Sequence, residues 1–330
     1  MRANVSDRAA NGSVRGKRAA WRGHLALALA GLVLAGCQST GQSGGQATAR
    51  SASRTADAAV TRESLAPLPG TGLSYASATQ TPVRSDPGTA VARAHSAIVI
   101  DAASGRVLHE EAADGLRYPA SLTKMMTLYL LFDALDRGEV SMDTPIPVSA
   151  HAARQPPAKI GLVAGGDLTV RQAVSALAVK SANDVAVAVA EKLGGSESAF
   201  AARMTAKARA LGMTRTSFVN ASGLPDARQV TTARDMAILA RALKTRHARQ
   251  ARFFTARSFT YKGRTFEATN NLLGRVPGVD GLKTGYISLS GYNLAASAHR
   301  GGRRIIAVVI GGKSESSRDK EVENLIASYL

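Results

Sequence analysis

Two polar side chains, Ser121 and Lys124, sit near the start of YPASLTKMMTLYLLFDAL, a stretch from Tyr118 to Leu135 that otherwise reads as an apolar helix. Residues i and i+3 share a helical face. A serine hydroxyl is a weak nucleophile without an adjacent base. A lysine can be that base only when its pKa falls well below about 10.4. Three features push it down: burial in an apolar helix, the positive end of the helix dipole, and any second cation close by. The pair therefore reads as nucleophile and base; the alternative is a capping serine beside a snorkelling lysine. The same S-x-x-K spacing recurs at Ser317-Arg318-Asp319-Lys320, in a charged stretch where Lys320 is expected to be solvated and protonated. Surroundings, not spacing, separate the two.

Two further clusters of short polar and charged residues stand out. Ser181-Ala182-Asn183 falls at a turn between two helical patterns, where short polar side chains can face a cleft. Taken alone, it reads equally as helix capping. Lys283-Thr284-Gly285 lies on a strand pattern, where a lysine also serves to discourage edge-to-edge pairing. The six histidines, His24, His95, His109, His151, His247 and His299, show no H-E-x-x-H or similar spacing, which argues against a zinc peptidase; no cofactor is expected.

These residues need elements to position them. SAIVIDAASGRVLHEEA holds two β-rich runs about a turn, a hairpin signal. Thr169 and Gln172 form a T-x-x-Q capping box ahead of a helix that stops near Ser181. Asn183 or Asp184 is expected to cap the next helix, which ends at Gly194-Gly195. SESAFAARMTAKARALGM closes at Gly212, and TTARDMAILARALKTR carries basic residues in its last turn. Beyond Phe254 the period changes to two. RSFTYKG, GLKTGYI, YNLAASAH and RRIIAVVIGG read as strands, and SSRDKEVENLIASYL as a closing helix. Strands at both ends and helices between predict an α+β fold: one antiparallel sheet built from both ends of the domain, with an all-helical region inserted.

Of the 330 residues, 45% are hydrophobic, enough for a sizeable core. The net charge of +18 fits an anionic neighbour or plain compositional bias, and no nucleic-acid-binding motif accompanies it. Cys37 is the sole cysteine, so no intrachain disulfide can form. It follows a basic segment and the short apolar run Leu25 to Ala35, the layout of a secretory signal peptide. Leu34-Ala35-Gly36-Cys37 resembles the lipobox of bacterial lipoproteins. That likeness implies an acyl anchor on Cys37 and, with Gln38 following, an exported, periplasmic protein held at the outer membrane. The alternative is a plain signal peptide and an unanchored enzyme. Residues 1–36 are thus expected as signal, 37–90 as a flexible Ser/Thr/Gly/Ala-rich tether, and 91–330 as the catalytic domain.

S-x-x-K, S-x-N and K-T-G in this order form the signature set of penicillin-recognising serine enzymes. PASLTKMMT, SANDVAVAVAE, LGMTRTSFVNASGLPD, TARDMAILAR and GVDGLKTGY together resemble low-molecular-weight penicillin-binding proteins, the serine D-alanyl-D-alanine carboxypeptidases of peptidase family S11. The resemblance covers about His95 to Leu330. It implies the DD-peptidase/β-lactamase-like fold and a peptidoglycan stem peptide ending in D-Ala-D-Ala as substrate, with β-lactams as covalent inhibitors. It also implies roles. Ser121 would be the acylated nucleophile, Lys124 its base, and Ser181 the proton relay to the leaving amine. Asn183 would hold the substrate amide, and Lys283 and Thr284 would receive the carboxylate beside Gly285. The N–H groups of Ser121 and Tyr286 would form the oxyanion hole. Ile287 stands where the family often has a hydroxyl. The β-rich domain and amphipathic anchor of some relatives are not expected within these residues. A DD-endopeptidase remains open, as does a class A-like β-lactamase, although no glutamate between Asn183 and Lys283 suits deacylation and S-A-N replaces S-D-N. A non-catalytic wall-binding lipoprotein is the remaining alternative.

Overall fold

Arg303–Gly312, the run RRIIAVVIGG, forms strand β9, whose alternate residues are buried on both faces. A continuous β-branched run of this kind belongs inside a covered sheet. The computed structural model describes residue 91 and residues 93–330. The expected signal segment, the tether and Cys37 lie outside the described residues.

On one side β9 pairs antiparallel with β1 (Ser96–Asp101), which pairs with β2 (Val107–Glu111). On the other it pairs with β8 (Gly291–Arg300), which pairs with β7 (Val279–Ile287). The order β2-β1-β9-β8-β7 therefore joins the first and last thirds of the described chain in one sheet, as the sequence predicts. The Lys283-Thr284-Gly285 motif lies on β7, an edge strand. Period two splits β9 between two cores. Ile306, Val308 and Ile310 face the helical region, whereas Ile305, Ala307 and Val309 meet Val322 and Ile326 of α7 (Glu315–Tyr329).

Between the strands lies the helical region. Its centre is α1 (Lys124–Asp136), which buries ten of its thirteen residues, as an all-round apolar helix must. Each fully buried Leu, Met or Phe there contributes about 1.5–3 kcal/mol of burial free energy. The preceding turn, Ala120–Thr123, is a 3₁₀ segment, so Ser121 sits just ahead of α1 rather than inside it. Two short segments escaped the sequence: the paired strands β3 (Pro145–Pro147) and β4 (Asp167–Thr169), with the single-turn α2 (Ala150–Ala153) between them. Three-residue strands, one flanked by prolines, leave no period to read. The capping box of Thr169 and Gln172 is present and opens α3 (Val170–Ser175).

The expected cap of α4 (Asn183–Gly194) is a correction. Ala182 is the N-cap residue and no side chain caps the helix. Asn183 and Asp184 are buried and turn to tertiary partners instead. The remaining helices, α5 (Glu197–Ala210) and α6 (Ala233–Arg246), start at the side-chain caps Ser196 and Thr232. The hairpin β5 (Ser258–Tyr261) and β6 (Arg264–Glu267) follows; its second strand was not foreseen.

The far end of α1 is pinned by charge. Asp133 lies 2.8 Å from Lys207 Nζ of α5 and 3.2 Å from His247 Nε2 beyond α6. Burial works to raise the pKa of Asp133, but hydrogen bonds from His247 and Lys207 outweigh it and hold the carboxyl below its usual range. Removing one partner of a buried ion pair costs roughly 3–5 kcal/mol. Asp133→Ala is expected to lose about that much unfolding free energy in urea titrations at pH 7. Because the folded-state pKa is depressed, this stability is present above the unfolded value of about 4 and lost as pH falls through the lowered one. The difference between parent and variant should therefore close under acid conditions; a difference constant with pH would rule out the ionic account.

Candidate active site

The backbone around Ser121 is bent into place from three directions. Ala120 has φ +48°, a conformation that costs a non-glycine residue about 1–3 kcal/mol. Asn293 of β8, fully buried, donates through Nδ2 to the carbonyls of Tyr118 and Pro119, both at 3.1 Å, and accepts from Gly311 N–H. Gly223 and Gly285 press from either side. A Cβ on Gly223 would stand 1.9 Å from the Ala120 carbonyl oxygen, and one on Gly285 2.9 Å from Ser121 N. Only glycine allows these approaches. Gly285 thus brings edge strand β7 against the backbone of Ser121.

Below Ser121 lies Lys124, fully buried. Its Nζ is 3.0 Å from Ser121 Oγ and 2.8 Å from Asn183 Oδ1, and it also meets the carbonyl oxygen of Ser222. A neutral amine has two N–H donors and one lone pair. In that form the two fixed acceptors, Asn183 Oδ1 and Ser222 O, would use both donors and leave the lone pair for the Ser121 O–H. Burial, followed by the charge of Lys283, drives the Lys124 pKa well below normal, while Asp184 opposes the shift. Two of the three effects read from sequence, desolvation and a second cation, act here.

Ser181 ends the π-helical turn Ala176–Lys180 in the left-handed conformation, φ +63°. Its Oγ is buried and has no hydrogen-bond partner among the described residues, so the strained turn presents an uncommitted hydroxyl. Asn183 is fully engaged: Oδ1 serves Lys124 and Nδ2 donates to the carbonyls of Pro156 and Pro157. Thr284 Oγ1 donates to Thr269 Oγ1 at 2.7 Å. Lys283 is buried and donates to the Thr284 carbonyl. Its pKa is pushed down to about 7, first by burial and then by Arg318.

A cleft of about 300 Å³ joins these parts. Ser121, Ser181, Asn183, Thr284, Gly285 and Tyr286 line it, while Lys124 and Lys283 lie beneath. Tyr286 forms an exposed lip, its ring 4.4 Å from that of Tyr292. Every site residue expected in the described chain is thus gathered at one place. The second S-x-x-K spacing is not a site: Ser317 closes a capping box with Ser314, and Lys320 Nζ is exposed beside Glu323. Yet Arg318 between them reaches the cleft from α7, buried, paired with Asp319 at 2.7 Å and donating to the Asn293 carbonyl. Sequence reasoning missed Arg318, Thr269, Ser222 and Asn293, because their roles arise from segments distant in the chain. Among the described residues no cluster of His, Cys, Asp and Glu could hold a metal ion.

The family model for D-alanyl-D-alanine carboxypeptidase, peptidase S11, matches residues 81–314. The chain is 37% identical over 238 residues to D-alanyl-D-alanine carboxypeptidase DacF of Bacillus subtilis, covering 71% of this chain and 61% of DacF. It is 36% identical over 247 residues to DacA of Escherichia coli, covering 73% and 61%. It therefore spans about 61% of the length of these curated relatives. Among solved structures it resembles the D-alanyl-D-alanine carboxypeptidase DacD from Francisella tularensis, with TM-score 0.68 and 30% identity over 76% of this chain and 73% of that one. It also resembles penicillin-binding protein D2 from Listeria monocytogenes in its ampicillin-bound form, with TM-score 0.62 and 34% identity over 72% and 96%.

The electrostatic coupling of the two buried lysines can be read directly. Replacing Lys283 by Met removes the cation that depresses Lys124. The Lys124 pKa should then rise, and its side-chain signals in a heteronuclear NMR titration should shift their midpoint to higher pH than in the parent. An unmoved midpoint would leave burial as the whole cause.

Proposed function

Because the chain belongs to peptidase family S11, the D-alanyl-D-alanine carboxypeptidases, we propose that it removes the terminal D-alanine from peptidoglycan stem peptides through an acyl-enzyme on Ser121. One observation carries this reading: a fully buried lysine amine 3.0 Å from the Ser121 hydroxyl, held there by Asn183 Oδ1 and the Ser222 carbonyl.

The Ser121 oxygen attacks the carbonyl carbon of the last peptide bond, and Lys124 Nζ takes its proton. The resulting oxyanion is held by the N–H groups of Ser121 and Tyr286, each contact worth about 3 kcal/mol. Collapse breaks the C–N bond. The leaving amine takes a proton from Lys124 by way of the Ser181 hydroxyl, and free D-alanine departs. Water, deprotonated by Lys124, then attacks the ester and regenerates Ser121. Thr284, Lys283 and Arg318 offer a hydroxyl and two cations to the terminal carboxylate. Asn183 contributes by fixing Lys124 and the cleft wall. Penicillins, which carry a carboxylate beside a strained amide, would acylate Ser121 and leave slowly. No carboxylate from between Asn183 and Lys283 lines the cleft among the described residues, so nothing there matches the water-activating glutamate of a class A β-lactamase. The reading extends to a role in peptidoglycan maturation and cell shape outside the cytoplasm, with the acyl anchor on Cys37.

Incubation with purified muropeptides and mass analysis of the products tests it. Pentapeptide monomers should lose one alanine, and both this activity and labelling by fluorescent penicillin should vanish in Ser121→Ala. Cleavage of cross-linked dimers alone would make the protein an endopeptidase. Rapid penicillin turnover would make it a β-lactamase, and an unlabelled parent would overturn the acyl-enzyme.

A further inference from the structure

Asp184 directly follows the Ser181-Ala182-Asn183 turn and is completely buried in the first turn of α4. Its Oδ2 accepts three successive backbone N–H groups, from Ile160 at 3.2 Å and from Gly161 and Leu162 at 3.0 Å each. Oδ1 accepts from Val185 N–H at 3.0 Å. Successive N–H groups converging on one point make an anion nest, and here a side chain of the protein fills it. Among the described residues no Lys, Arg or His lies within ion-pair distance of this carboxylate, so the backbone is its partner.

The nest belongs to the segment between α2 and β4, which has almost no ladder hydrogen bonds of its own. Pro157 and Ala158 of that segment form one wall of the cleft. The adjacent residue grips the same wall: Asn183 N–H donates to the Ala158 carbonyl at 2.7 Å, and Asn183 Nδ2 donates to Pro156 and Pro157. Asn183 Oδ1 in turn receives Lys124. A continuous chain of contacts therefore runs from the 160–162 backbone through α4 to the base beneath Ser121.

We propose that Asp184 is a positioning residue for acylation: its carboxylate clamps the 156–162 wall to the start of α4 and thereby keeps Asn183, Lys124 and the cleft wall in register with Ser121. This rests on the reading that Ser121 is acylated. An amide cannot replace the carboxylate here. A carboxylate only accepts, whereas half of an asparagine amide would point N–H groups at N–H groups. The charged groups around Lys124 are Lys283 from β7 and Asp184 from α4, with Arg318 of α7 acting on Lys283. Asp184 raises the Lys124 pKa, so its loss has a second, electrostatic signature.

The test compares fluorescent-penicillin labelling rates across pH for the parent, Asp184→Asn and Asp184→Glu, with thermal midpoints as a check on folding. Displacing a positioned group by about 1 Å costs up to roughly a hundredfold. Asp184→Asn should label roughly tenfold to a hundredfold more slowly at saturating penicillin, with the acid limb of its profile moved to lower pH. Asp184→Glu, which keeps the charge, should keep the parental limb and recover part of the rate. Parental rate and limb in Asp184→Asn would overturn the proposal. Amide hydrogen exchange in the parent gives a reading that needs no variant. Protection of the Ile160, Gly161 and Leu162 amides supports the clamp, and exchange at open-loop rates overturns it. Failure of the parent to label at all would count against acylation of Ser121, and the exchange rates would still decide the clamp.

Discussion

A primary amine kept out of water beneath a serine hydroxyl is the constraint to which the rest of the fold answers. An ammonium at Lys124 would be stable in solvent and useless as a base. The protein withholds solvent by burying α1 on nearly every side, and it supplies two fixed acceptors, Asn183 Oδ1 and Ser222 O, that satisfy the neutral form. Those acceptors come from α4 and from the loop before α6. Neither segment contributes a strand to the sheet, yet both converge on Lys124.

The sheet supplies the opposite half of the site. Joining both ends of the domain in one sheet places β7 at an edge, and an edge strand can lie against the 3₁₀ turn of Ser121 only where side chains are absent. Gly285 and Gly223 provide that absence, and Asn293 holds the strained turn that results. Strain at Ala120 and Ser181 therefore belongs to the same design. Both residues sit at cleft-forming turns, and both are over-determined by packing on either side.

How far the sequence disclosed this follows from the range of each interaction. The run Ile305 to Ile310, the Thr169 capping box and the all-round apolar α1 are patterns within a few residues, and the structure reproduces them. Ser121 and Lys124 were legible for the same reason, being three residues apart at the start of an all-round apolar stretch. Ser181, Asn183, Lys283 and Thr284 were legible through their order along the chain. Asp184 was misread as a cap because the local rule for short acidic residues at a helix start competes with a tertiary nest that no local pattern announces. Arg318 lay inside a misleading S-x-x-K spacing, and its place at the cleft depends on α7 folding back across the sheet. Thr269 and Asn293 have no motif; only the close approach of distant segments gives them partners.

The cations beneath the cleft are more than a seat for a carboxylate. Lys283 and Lys124 are both buried and both carry depressed pKa values, and the charge of Lys283 disfavours a charge on Lys124. A carboxylate arriving at Thr284 and Lys283 in the proposed reaction stabilises the charged form of Lys283. A charged Lys283 adds, after burial, to the depression of Lys124. In the proposed reaction the arriving carboxylate would thus favour the proton on Lys283. Ion pairing of Arg318 with Asp319 restrains the third cation, so that it biases Lys283 without adding a full uncompensated charge to the pair. Under the proposed reaction, a ligand with no carboxylate would leave Lys283 less fully charged and Lys124 less depressed, which would tie recognition of the chain terminus to the chemistry.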